Sequence, residues 1–99
     1  MRGRGLPGGD EVQWWIHRGV LSAEPIAGCD TVFDGGWIIP GLVDAHCHVG
    51  LGPGGAVEFD EAVRQAQRER DVGALLLRDA GSPVDTRSFD DRDDLPRII

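Results

Sequence analysis

The stretch Pro40-Gly41-Leu42-Val43-Asp44-Ala45-His46-Cys47-His48 decides how this chain is read. It opens apolar, at Leu42 and Val43, and closes on two histidines one residue apart. On an extended strand side chains alternate between faces, so residues two apart share one. Asp44, His46 and His48 are therefore expected on a common face, with Cys47 on the other. Two imidazoles side by side on a strand can reach one divalent ion at metal–nitrogen distances of roughly 2.0–2.1 Å. A buried strand that ends in two histidines needs something to coordinate or hydrogen-bond them, because burying unpartnered polar groups is costly. His46 and His48 are thus the candidate metal ligands. Cys47, facing away, is read as a small packed residue.

Before this stretch the chain predicts short strands and tight turns. Val12, Trp14 and Ile16 alternate with Gln13, Trp15 and His17, as in a half-buried strand. A turn at Arg18-Gly19 and a second strand at residues 20–23 follow. A third strand is expected at residues 31–33, ended by Asp34-Gly35-Gly36, and a fourth begins at Trp37. Trp14, Trp15 and Trp37 are expected in the core of these strands.

After it the periodicity changes. Residues 49–56 form a glycine-rich loop, expected to be mobile and to cover the histidines. Over residues 57–72 the spacing becomes helical, with Phe59, Ala62, Val63 and Ala66 on one face. Glu58, Asp60 and Glu61 stand at its start and Arg64, Arg68 and Arg70 towards its end, as the helix dipole favours. Asp60 and Arg64 are placed for an i,i+4 ion pair. Gly73 predicts the stop. Residues 74–77 are wholly apolar, as in a strand buried on both faces, and end in Arg78-Asp79, for which a mutual ion pair is expected. Residues 83–94 read as a solvated acidic loop or the start of a second helix, and no closing element follows. The expected fold class is mixed α/β, in two portions, residues 1–39 and 40–99.

Composition excludes several partners. The formal charge is −7 over 99 residues, so no cationic excess exists to displace phosphate counterions or hold an anionic membrane. All ten basic residues are arginine, so no lysine is present to form a Schiff base or carry a bridging carbamate. Cys29 and Cys47 make no disulfide framework. Arg2 and Arg4 are followed by no apolar stretch, and no run approaches the ~20 residues of a membrane span, so a cytoplasmic protein is expected.

The segment 36–48, Gly-Trp-Ile-Ile-Pro-Gly-Leu-Val-Asp-Ala-His-Cys-His, resembles the first metal-binding strand of the metal-dependent amidohydrolase superfamily, and Arg78-Asp79-Ala80-Gly81 resembles its imidazolonepropionase-like branch. The resemblance implies a small β-sandwich followed by the first β-α-β unit of a (β/α)8 barrel, here incomplete. It implies hydrolysis of a non-peptide, often cyclic, carbon–nitrogen bond by water activated at one or two divalent ions, zinc foremost. His46 and His48 match the family's strand-one ligands. Asp44 matches a position that would orient neighbours by hydrogen bonding, with a structural turn or barrel-floor carboxylate as the equal alternative; Arg78 and Asp79 end strand two on the expected active-site side, where they could contact substrate or orient neighbours, and no catalytic residue proper falls in this chain. The implied partner is a small amide-like substrate, in a full-length enzyme that could be homo-oligomeric. A catalytic zinc takes about three protein ligands plus water, and His46 and His48 supply two. The 99 residues are therefore expected to be an N-terminal fragment, inactive alone, of a chain several times longer.

Two other classes fit parts of the sequence. Gly50-x-Gly52-x-x-Gly55 spells a dinucleotide-binding fingerprint between a strand and a helix, although His46 and His48 end a strand that such a fold keeps apolar. The short length alternatively suits a small non-catalytic metal-binding domain.

Overall fold

Two units, Met1–Pro40 and Gly41–Ile99, make up the chain, and the computed structural model describes all residues of both, 1–99. In the first, β1 (Arg2–Gly5) lies between β2 (Glu11–Gln13) and β5 (Asp34–Ile38). It pairs antiparallel with β2 and parallel with β5, and the latter register slips between Arg2 and Arg4. β3 (Trp15–His17) and β4 (Val20–Ser22) form a separate hairpin. Arg18 and Gly19 turn it, both at positive φ as a two-residue type I′ connection requires.

Three sequence expectations change here. The strand expected across residues 12–17 breaks at Trp14, and its halves join different sheets. Residues 31–33 are irregular, and Asp34-Gly35-Gly36, expected to end a strand, begins β5. No tryptophan is buried: Trp14 and Trp15 are half-covered and Trp37 is 54 % exposed. The only buried residue of this unit is Gly3, so there is no apolar core for a sandwich to enclose.

The second unit starts with β6 (Leu42–Cys47). A small hairpin of β7 (Leu51–Gly52) and β8 (Gly55–Ala56) follows, then α1 (Phe59–Asp71) and β9 (Ala74–Asp79). A 3₁₀ turn at Arg87–Asp91 leads to β10 (Arg97–Ile98). The sheet order is β10-β9-β6, all parallel. Helix α1 lies within the expected residues and buries Ala62, Val63 and Ala66. Its ion pairs differ: Glu61, rather than Asp60, takes both Arg64 and Arg68 at 2.8 Å. The apolar core holds Val49, Ala62, Val63, Ala66, Ala74, Leu77, Phe89 and Leu95, with Cys47, Val57, Val84 and Ile98 packed against it.

Residues 83–94 are not simply solvated. Phe89 is fully buried and meets Phe59 edge-on at 5.5 Å between ring centroids. Nor does the chain lack a closing element, since β10 adds to β9.

The architecture expected from the resemblance is corrected by these elements. The chain is mostly strand with one α-helix, in four small sheets of two or three strands, none of them closed. It is neither a β-sandwich nor a (β/α)8 barrel unit. The first unit has no buried apolar face to pack sheet on sheet. In the second, the β9-to-β10 connection carries a single 3₁₀ turn where a barrel needs a covering helix.

Candidate metal centre

β6 delivers the two histidines through an irregular end. Asp44 pairs with Leu77 and Cys47 with Asp79, three residues on β6 against two on β9. One extra residue is thus accommodated between Asp44 and Cys47, which is a bulge, and bulges re-aim side chains. Simple alternation from Asp44 onwards does not hold across it. Asp44 fixes the irregularity itself: its Oδ1 accepts the N–H of His46 at 2.9 Å. The carboxylate expected beside the histidine rings therefore serves the backbone that carries them.

His46 and His48 are both exposed, with ring centroids 5.2 Å apart and planes at 81°. An ion bound in line with an imidazole nitrogen at about 2.0–2.1 Å lies roughly 3.2 Å from that ring's centroid, so two rings on one tetrahedral ion sit about 5 Å apart. The centroid separation is of the size that shared ligation requires.

His48 is further prepared. Its Nδ1 lies 3.1 Å from the carbonyl oxygen of Gly81. A carbonyl only accepts, so this contact assigns the proton to Nδ1 and leaves the Nε2 lone pair available. Metal-binding histidines are commonly held this way, by a carbonyl or carboxylate on the far nitrogen.

Gly81 is positioned by Asp79. Asp79 Oδ1 accepts the Gly81 N–H at 2.8 Å and Oδ2 accepts the Val49 N–H at 3.3 Å. The Ala80 N–H donates to the Cys47 carbonyl at 2.8 Å. Ser82 Oγ accepts from the Val84 N–H at 3.0 Å and lies within donating distance of the Val49 carbonyl. Together these bonds tie the segment after β9 to the segment after β6. Gly81 has φ +130°, which an L side chain rarely adopts, although the space beside it is open. The expected ion pair between Asp79 and Arg78 is absent: Arg78 is exposed, and its guanidinium makes no ion pair or hydrogen bond. Asp79 is held by backbone donors instead.

Cys47 packs against the apolar core, and its thiol donates to the Arg78 carbonyl at 3.7 Å. Burial, reinforced by the negative charges of Asp44, Asp79 and Glu69, pushes the thiol from its usual 9.0 up to about 11. Its packing against the core is that of a small apolar residue.

The glycine-rich loop is not a free flap. Val57 N–H donates to the Gly50 carbonyl at 2.9 Å, β7 and β8 pair, and Gln65 of α1 takes the Gly50 N–H at 2.7 Å and donates to the Leu51 carbonyl at 3.2 Å. A fingerprint loop for a dinucleotide runs directly into a helix N-terminus, whereas here a hairpin intervenes and α1 begins only at Phe59. A cleft of about 270 Å³ lies beside His48, lined by Cys47, Val49, Leu51, Gln65, Arg68 and Glu69. No group of three His, Cys, Asp or Glu side chains converges on one point, so the two histidines stand as a pair. The third histidine, His17, belongs to the other unit.

No protein-family model matches this chain, and no solved structure matches it. It is 70% identical over all 99 residues to "Uncharacterized protein Rv2915c" of Mycobacterium tuberculosis (strain ATCC 25618 / H37Rv) and to "Uncharacterized protein Mb2939c" of Mycobacterium bovis. The chain spans 27% of the length of each of these curated relatives.

Proposed function

We propose that this chain carries two ligands of a divalent metal, zinc foremost, in a hydrolase of the amidohydrolase type acting on non-peptide, often cyclic, carbon–nitrogen bonds. The observation that carries the proposal is the pairing of His46 and His48 at 5.2 Å, with His48 Nδ1 satisfied by Gly81 and its Nε2 left to ligate. The resemblance of residues 36–48 supports it. The proposal requires further ligands from outside these 99 residues, and the curated relatives, of which this chain spans 27%, are long enough to carry them. No helix is long and apolar enough to cross a membrane. A cytoplasmic enzyme acting on a small soluble amide is the corresponding setting.

A bound divalent ion would supply Lewis acidity and bring the pKa of water towards about 7. The residues of this chain contribute placement. His46 and His48 would hold the ion at the exposed end of β6. Asp44 fixes the backbone at His46, and Gly81 sets the tautomer of His48. Arg78, exposed at the end of β9 and free of an acidic partner, is available to an anionic or carbonyl group of the substrate. Two ligands fall short of the three a catalytic zinc needs, so the 99 residues alone are not a competent enzyme.

The test compares two proteins. The whole M. tuberculosis relative and the 99-residue chain are each assayed for hydantoin and cyclic-imide ring opening, with zinc and with chelator. Chelator-sensitive ring opening by the relative alone is expected. Equal activity of the short chain, or metal-independent activity of the relative, would overturn the proposal.

A further inference from the structure

We infer that Asp79 is the positioning residue for His48, acting through Gly81 to fix which imidazole nitrogen carries the proton. The inference rests on the metal-site reading for its purpose, but the hydrogen-bond geometry stands without it.

Three contacts carry it. Asp79 spans two backbone donors, Gly81 N–H at 2.8 Å and Val49 N–H at 3.3 Å. Val49 immediately follows His48, and Gly81 is the residue whose carbonyl meets His48 Nδ1 at 3.1 Å. One carboxylate thus fixes both ends of the imidazole's support: the chain carrying the ring and the carbonyl receiving its proton. Each carboxylate oxygen takes one of the two backbone N–H groups, Oδ1 that of Gly81 and Oδ2 that of Val49. Val49 and Gly50 are buried, so its bond to the Val49 N–H lies at the edge of the core and is sheltered from water.

The consequence is chemical. Without the Asp79 bonds, the Asp79-Ala80-Gly81 turn loses the anchor that holds Gly81 at φ +130°. Its carbonyl then no longer has a fixed direction. His48 becomes free to carry its proton on Nε2, the nitrogen a metal would need unprotonated. His46 is different, because its ring nitrogens make no hydrogen bond within the chain and only its backbone N–H is held, by Asp44. A change at Asp79 should therefore reach one histidine of the pair and spare the other.

The experiment is imidazole ¹⁵N NMR on the 99-residue chain, labelled at histidine and at a pH where both rings are neutral. Wild type and Asp79→Asn are compared, with the amide fingerprint of α1 as the check on folding. The asparagine is isosteric but offers one acceptor oxygen and a repelling amide where two acceptors are needed. We expect His48 to show a protonated Nδ1 in wild type and a mixed population in the variant, with His46 unmoved. Zinc affinity should fall about 10- to 100-fold, as for removal of other groups that orient ligating histidines. An unchanged His48 tautomer in a folded variant overturns the inference, and so does an equal change at both histidines, which would signal general loosening. Should α1 signals be lost, Asp79→Glu, which keeps the charge but displaces both acceptor oxygens from the Gly81 and Val49 N–H groups, is read in the same way. Failure of wild type to bind zinc would count against the metal reading alone, because the tautomer is read in the metal-free chain.

Discussion

Cys47 offers a quantitative check on how the end of β6 packs. Its thiol sits against the core, near Asp44, Asp79 and Glu69, and is pushed from 9.0 to about 11. Only the thiolate attacks an alkylating reagent. At pH 8 a thiol of pKa 9.0 is about one-tenth thiolate, and one near 11 about one-thousandth. Iodoacetamide should therefore label Cys47 about a hundredfold more slowly than an ordinary thiol. A Cys29→Ser variant leaves a single thiol, and mass spectrometry follows its modification. In urea the rate should return to that of a free thiol. The sign of the linked stability follows from the same shift. The folded chain holds this proton more tightly than the unfolded chain, so the contribution is intact below about pH 9 and is lost as pH rises towards 11. Labelling of the native chain within tenfold of a free thiol would refute the packing of Cys47 described above.

Leu77→Ala removes a fully buried side chain from a core of eight residues and should cost about 2–5 kcal/mol, read by urea unfolding. A unit of this size rarely has more than about 3–5 kcal/mol to lose, so the variant is expected to be largely unfolded at 25 °C. Gly50→Ala forces a side chain onto φ +86° with its Cβ 2.7 Å from Val84 Cγ2, and strain with overpacking should cost about 2–5 kcal/mol by the same assay. Arg87 and Arg92 hold the carboxyls of Asp85 and Asp94 down to about 2 from the usual 3.8. Their stabilising contribution is present above about pH 4 and disappears as pH falls through 2, visible as a declining urea midpoint for residues 41–99.

What the sequence announced and what it hid have physical causes. Helix α1 was legible because Ala62, Val63 and Ala66 repeat at helical spacing and Gly73 follows. Strand β9 was legible because a run of apolar residues leaves few alternatives. β1 was not, since Arg-Gly-Arg-Gly has no apolar periodicity and is held through backbone pairing on both sides. The 3₁₀ turn was hidden because a single residue, Phe89, anchors an otherwise acidic segment. β10 was hidden because two residues carry too little pattern to read as a strand. The small-sandwich and barrel expectations came from local likeness at residues 36–48, which says nothing about whether neighbouring strands have faces to bury. At the site, the histidine spacing was visible. Hydrogen bonding by Asp44 and Asp79 was expected, but their partners and the part of Gly81 were not assignable, because these bonds involve backbone atoms that a side-chain pattern does not record.

The central claim is that two neighbouring imidazoles grip one ion. A zinc titration of this chain, followed by calorimetry and by the histidine ring signals together, tests it most directly. The account predicts one ion per chain, simultaneous perturbation of His46 and His48, and an affinity loss of at least about tenfold on replacing either with alanine, since even the outer partners of ligating histidines cost that much. Perturbation of one ring only, or zinc affinity indifferent to both substitutions, would contradict it.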